Sequence, residues 1–246
     1  MSKFNDEEID KALDSIDKIN PFATYLEDST LSRVGGWIDT GSYVLNAIVS
    51  GSIHGGIPKG RVTMMGGESM TGKTLFVLKI LANAQKEGLI PVIFDTENAV
   101  DPEGAERIGL DISKVKYVPC ITIEQTRNAL FKFLTAVKEK GLEGKFIIAI
   151  DSLGNLQSEL EHSRMGKDSM SSDMGTKARA MKSLMQTCTN LGATTQTTIL
   201  CTNHVYDDPT AMFPSIEKNM PGGKSIIYLP SVTIQLARKP MKSDGG

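Results

Sequence analysis

Eight consecutive residues, Gly67-Glu68-Ser69-Met70-Thr71-Gly72-Lys73-Thr74, satisfy every fixed position of the pattern G-x-x-x-x-G-K-[ST]. Its glycines let the backbone curl so that successive N–H groups point inward at phosphate oxygens. A helix that starts at the end of such a loop adds its partial positive charge to the same point. In this arrangement Lys73 reaches the β- and γ-phosphates, and the Thr74 hydroxyl is a ligand for Mg²⁺. The chemistry implied is binding of a nucleoside triphosphate with its metal.

Hydrolysis needs more: a second carboxylate for the metal and a group that orients the attacking water. Asp151 closes the apolar run Phe146-Ile147-Ile148-Ala149-Ile150 and so emerges at the carboxyl edge of a strand, the Walker B arrangement. An acid there is also a common helix cap, and it is the complete phosphate loop that favours the metal role. A second strand, Val92-Ile93-Phe94, ends on Asp95-Thr96-Glu97. Either acid is a candidate for activating water, since alternation along a strand sends residues 95 and 97 to the same side. Asn203-His204 ends a third strand, where a polar side chain could sense the terminal phosphate or simply sit at the surface.

These residues need a scaffold that delivers strand ends to one place. From residue 61 onward, apolar segments of strand length (61–65, 90–94, 115–118, 146–150, 198–201 and 232–237) alternate with helical patterns at 74–85, 102–109, 124–140 and 176–191. Near-continuous apolar strands separated by helices predict an α/β fold with a mainly parallel sheet covered on both faces. Ligands in such sheets bind beyond the carboxyl ends of the strands. Two polar stretches, 157–173 and 205–223, break the pattern, and loops of that length in a compact domain are commonly functional. At the amino end, Ile9, Leu13 and Ile16 recur at helical spacing before Pro21, predicting a helical arm over residues 1–34 ahead of a core over 35–246.

Composition narrows the class. Twenty-seven Lys and Arg stand against 29 Asp and Glu in 246 residues, a formal charge of −2, which excludes a uniformly basic nucleic-acid binder but not a local basic surface. The three cysteines form no C-x-x-C pair and fit a reducing compartment. The acidic start MSKFNDEEID lacks an apolar signal region, and no apolar run approaches a membrane span. The expectation is a cytoplasmic protein, in the host cytoplasm if phage-encoded, with no membrane partner.

The phosphate loop together with FDTENAVDPEGAERIGLDISKV, FIIAIDSLGNL, DMGTKARAMKSL and TNHVYDDPTAMF…PGG, in this order and spacing, resembles the RecA-type recombinases, most closely the phage recombinases of the UvsX type. The resemblance runs from about Trp37 to Lys239. It implies a RecA-like P-loop NTPase core that uses ATP and Mg²⁺, forms filaments on single-stranded DNA, and pairs that strand with duplex DNA. By position it makes Glu97 the catalytic glutamate, Asp151 the Walker B acid, His204 the γ-phosphate sensor, and Asp101 part of the nucleotide-binding segment. It places Met174, Arg179, Phe213, Gly222 and Gly223 on DNA-contacting positions, with Lys177, Lys182 and Lys224 as further cations along the filament axis. The arm resembles the segment through which one subunit grips the next. Two departures stand out. Relatives usually carry an adenine-stacking tyrosine where this chain has Gly104, and the family core continues past the point where this sequence stops, which implies a shortened chain. A ring-forming helicase on the same fold and a catalytically impaired nucleotide-binding module are the competing expectations.

Overall fold

The structure, a computed structural model, describes residues 6–20, 22–29, 31–164, 174–206 and 218–238. The chain divides into two units, Met1–Arg33 and Val34–Gly246. The first is built on helix α1 (Asp6–Asp17), along which Ile9, Leu13 and Ile16 remain 41–53% exposed.

The second unit begins with a small antiparallel pair, β1 (Trp37–Ile38) and β2 (Ile57–Pro58), flanking α2 (Tyr43–Ser50). There follow β3 (Val62–Gly67), α3 (Lys73–Lys86), β4 (Ile90–Asp95), α4 (Pro102–Ile108), β5 (Lys116–Pro119), α5 (Ile123–Glu139) and β6 (Phe146–Asp151). Helices α6 (Glu159–Ser163) and α7 (Met174–Thr194), strand β7 (Thr198–His204), α8 (Ser225–Tyr228) and β8 (Val232–Leu236) complete it. The six long strands form one sheet in the order β5-β4-β6-β7-β3-β8, and every pairing within it is parallel. This is the expected α/β architecture.

Alternation along the strands explains the two-sided cover. Met64, Phe94, Ile148, Ile150 and Cys201 face one way, onto Leu130 and Leu134 of α5, Met181 and Leu184 of α7, and Ile226 of α8. Met65, Ile93, Ile147, Ala149 and Leu200 face the other, onto Val77, Ile80, Leu81 and Ala84 of α3 and Ala105 of α4. Each fully buried Ile, Leu or Met contributes about 1.5–3 kcal/mol, so the central strands are the least movable part of the molecule. The register then makes the carboxyl ends flush: Asp95 lies opposite Asp151, and Gly67 opposite His204.

Two elements have sequence signals that periodicity alone passes over. Helix α2 is framed by Ser42, whose side chain accepts from the Leu45 N–H, and by Gly51 in the left-handed conformation. In the aperiodic stretch after residue 157, Ser158 and Glu161 close a full capping box on α6. Cys120, Cys188 and Cys201 are buried and free. Among the described residues, no helix is long and apolar enough to cross a membrane.

Candidate nucleotide site

Strand β3 runs straight into the phosphate loop, and α3 starts at Lys73. Gly72 adopts φ 93, a conformation that strains any residue with a Cβ, and it caps α3, whose first N–H groups have no partner within the helix. A Cβ on Gly67 would lie 2.5 Å from Thr71 Oγ1, so a side chain there would displace Thr71. Thr71 Oγ1 donates to the Glu68 carbonyl at 2.8 Å and stiffens the loop. Lys73 Nζ donates to the carbonyls of Gly67 (2.9 Å) and Glu68 (2.8 Å). Burial lowers the Lys73 pKa, while the charges of Asp151 and Glu97 oppose that shift.

Asp151 ends β6 with its side chain almost wholly buried, and its peptide to Ser152 is cis. Thr74 Oγ1 donates to Asp151 Oδ2 at 2.8 Å, and Thr202 of β7 donates to the other carboxylate oxygen. Burial raises the Asp151 pKa; the two hydroxyl bonds oppose the shift, and the nearby charges of Glu97 and Asp95 add to it. A cation at this point would relieve that cost. The hard oxygens of Thr74 and Asp151 suit Mg²⁺, which keeps few protein ligands and takes the rest from phosphate and water. Among the described residues, no group of three or more His, Cys, Asp or Glu side chains could hold a metal ion.

The two acids after β4 separate completely. The expectation that alternation sends residues 95 and 97 to the same side fails, because β4 stops at Asp95 and the chain bends, with Asn98 at φ 52. Asp95, 2% exposed, turns inward: Oδ1 accepts from the N–H groups of Glu97 and Asn98 (both 2.9 Å), and Oδ2 accepts from Tyr117 OH at 3.1 Å. Glu97 is thereby pushed out into the site. Its Oε1 accepts from Ser152 Oγ at 2.6 Å and lies 3.0 Å from His204 Nε2. Glu97, Ser152 and His204 thus meet beside the Thr74–Asp151 pair. Ser152 carries no sequence pattern of its own; only its place after Asp151 marks it.

His204 also marks where the second long segment departs. Its neighbour Asn203 donates to the Pro221 carbonyl at 2.9 Å, tying the end of β7 to the Pro221-Gly222-Gly223 turn. Tyr206 and Asn219 exchange backbone hydrogen bonds at 3.0 Å each, forming an antiparallel bridge. Lys218 pairs with Glu68 of the phosphate loop, and Arg238 donates to the Ser69 carbonyl.

The expected DNA positions fare unevenly. Phe213 lies outside the described residues. Met174 opens α7, and Arg179 on that helix is exposed, bonded to the Gly175 carbonyl and Thr176 Oγ1 (both 3.3 Å). Lys177 lies 3.7 Å from Glu161, so its charge is partly answered within the chain. Gly222, at φ 107, is packed so closely that a Cβ would lie 2.1 Å from Ile226 Cδ1; packing alone accounts for a glycine there. Gly223 is exposed beside Ala178. Asp101 caps α4, accepting from the Gly104 N–H at 2.9 Å, and Met70 stands 87% exposed at the phosphate loop's rim.

A model of the RecA N-terminal domain matches residues 7–245. The chain is 33% identical over 210 residues to Protein RecA of Chlorobium chlorochromatii, covering 85% of this chain and 55% of that protein. It is 34% identical over 244 residues to Protein RecA of Frankia alni, covering 98% of this chain and 66% of the relative, and 33% identical over 221 residues to that of Chlorobaculum parvum, covering 89% and 59%. The chain therefore spans between about half and two thirds of the length of these curated relatives. With its phosphate loop, its order of strands and its family match in agreement, this chain belongs to the RecA N-terminal domain family.

Proposed function

We propose that the chain is the ATP-hydrolysing, DNA-binding core of a recombinase that assembles on single-stranded DNA and promotes pairing with duplex DNA. The observation that carries this reading is the meeting of Glu97, Ser152 and His204 beside Lys73, Thr74 and Asp151, at the root of the segment that begins after β7. Lys73 and the loop amides hold the triphosphate, and Thr74 and Asp151 hold Mg²⁺, which neutralises charge on the phosphates. Glu97 orients and accepts a proton from the attacking water. His204 contacts the terminal phosphate, and its position between Glu97 and Asn203 links that contact to the Pro221 turn. The family resemblance gives this sensor as glutamine in the bacterial proteins and histidine in the UvsX branch, so His204 supports kinship with the UvsX-type branch.

DNA binding falls to Met174, Arg179, Phe213, Gly222 and Gly223, with Lys182 and Lys224 as further cations. The partly exposed apolar row on α1 supports self-association through the arm. We place the protein in the cytoplasm. ATP turnover with and without single-stranded DNA, across a salt series, tests the reading. The expected result is DNA-stimulated turnover and binding that weakens as salt rises, because phosphate contacts release counterions. ATP binding without any DNA stimulation at high protein concentration would replace it with an impaired nucleotide-binding module, and closed rings in electron micrographs with a ring-forming motor.

A further inference from the structure

The second residue of the phosphate loop is an acid, and an acid there works against binding a polyanion. Glu68 follows Gly67 in the loop whose carbonyls hold Lys73 Nζ, at 2.9 Å from Gly67 and 2.8 Å from Glu68, so it adds a carboxylate to the segment that would wrap the triphosphate. Its carboxylate is met by Lys218. That lysine is held in place from several directions. The Lys218 N–H donates to Gln235 Oε1 of β8 at 3.4 Å, and the next residue, Asn219, is bridged to Tyr206, two residues beyond His204. Its side chain is only 20% exposed, against 44% for Glu68. The ammonium is therefore presented to the loop by a braced backbone.

We infer that Lys218 is a positioning residue for nucleotide binding: it neutralises Glu68, so that the phosphate loop meets a triphosphate without a free carboxylate beside it. The inference rests on the nucleotide reading of the site. It also means that both roots of the segment between Tyr206 and Asn219 answer to the nucleotide, one through His204 and Glu97, the other through Lys218 and Glu68. A buried or half-buried charge pair need not stabilise a fold; here its consequence is electrostatic and local to the ligand.

The sign pattern of three variants tests this. Equilibrium titration of the full chain with a fluorescent ATP analogue and Mg²⁺ gives the affinities, with thermal midpoints recorded for each variant. Lys218→Ala leaves Glu68 unanswered and weakens binding by about five- to tenfold, equivalent to about 1–1.4 kcal/mol. Glu68→Gln removes the carboxylate from the loop and tightens binding. The double variant returns close to the unmodified chain, and the differences shrink as salt screens the charges. Unchanged affinity in folded Lys218→Ala, or a double variant as weak as Lys218→Ala, overturns the role of the pair. No nucleotide binding by the unmodified chain overturns the nucleotide reading itself and this inference with it.

Discussion

Asp95 and Glu97 stand two residues apart at the end of one strand, yet they belong to different regions of the molecule. The region around Asp95 is a buried bracket: a carboxylate that accepts three backbone N–H groups, from Glu97, Asn98 and Val100, and a tyrosine hydroxyl and holds the bend after β4. The region around Glu97 is a partly exposed cluster in which Ser152 and His204, each from another strand end, both meet the Glu97 carboxylate. Backbone bonds make the first an element of structure. Side-chain bonds leave the second free to exchange partners with a ligand. Two identical charges thus serve opposite purposes because one is satisfied by the main chain and the other is not.

The largest test of this contrast is Glu97→Gln. Losing a general base costs a factor of about 10²–10⁴ in turnover, so DNA-stimulated ATP hydrolysis should nearly vanish while the thermal midpoint and nucleotide affinity stay close to those of the unmodified chain. A large fall in the midpoint would erase the distinction.

Asp95→Ala should do the reverse. It takes the acceptor from the N–H groups of Glu97, Asn98 and Val100, while Tyr117 OH keeps solvent and Asn98 Oδ1, and each polar group left unsatisfied and buried costs about 1–3 kcal/mol. Denaturant unfolding should show a loss of about 2–4 kcal/mol, with turnover of the folded fraction reduced far less than in Glu97→Gln. Equal loss of turnover in both variants would mean that the bracket is itself part of the reaction.

Ser152→Ala sharpens the boundary from the pocket's side. Removing one donor to the Glu97 carboxylate should lower turnover by about tenfold or less, corresponding to a bond worth about 1 kcal/mol, with no change in ATP affinity. Unchanged turnover would show that His204 alone orients the acid.

The smallest effect is expected in stability at Asp151. Because burial raises its folded pKa, the carboxyl contributes stability that is fully present below its unfolded pKa and is lost as pH rises through the folded value. At neutral pH the ionised acid is therefore a cost. Asp151→Asn should raise the thermal midpoint in metal-free buffer at pH 7, with the gain fading in acid, while abolishing hydrolysis. A lower midpoint at pH 7 would show that the bonds from Thr74 and Thr202 outweigh the burial.

Much of this was legible in advance at the level of elements and motifs. Apolar strand runs such as residues 146–150 encode their own burial, and a glycine-framed loop ending in Lys73-Thr74 encodes its own curl, because both are local. Helices α2 and α6 were also written locally, in the caps Ser42, Gly51 and the Ser158–Glu161 box, although neither has a run long enough for periodicity to reveal it. What local pattern could not decide was where a chain bends at a strand end. The bend after Asp95 exists because Tyr117, carried on the adjacent strand β5, and the backbone of residues 97 and 98 converge on one carboxylate.

By itself the sequence determined the parallel α/β core, the phosphate loop and the acid that closes β6, since each depends on neighbours within a few residues. Spacing left Asp95 and Glu97 open and the family resemblance chose Glu97; only the tertiary structure decided that Asp95 is taken up by the main chain, that Ser152 and His204 share the Glu97 carboxylate, and that Lys218 answers Glu68. Those outcomes depend on sheet register and on partners up to 150 positions apart. Hydrogen bonds and ion pairs act over a few ångströms in space, and only folding converts separation along the chain into that distance.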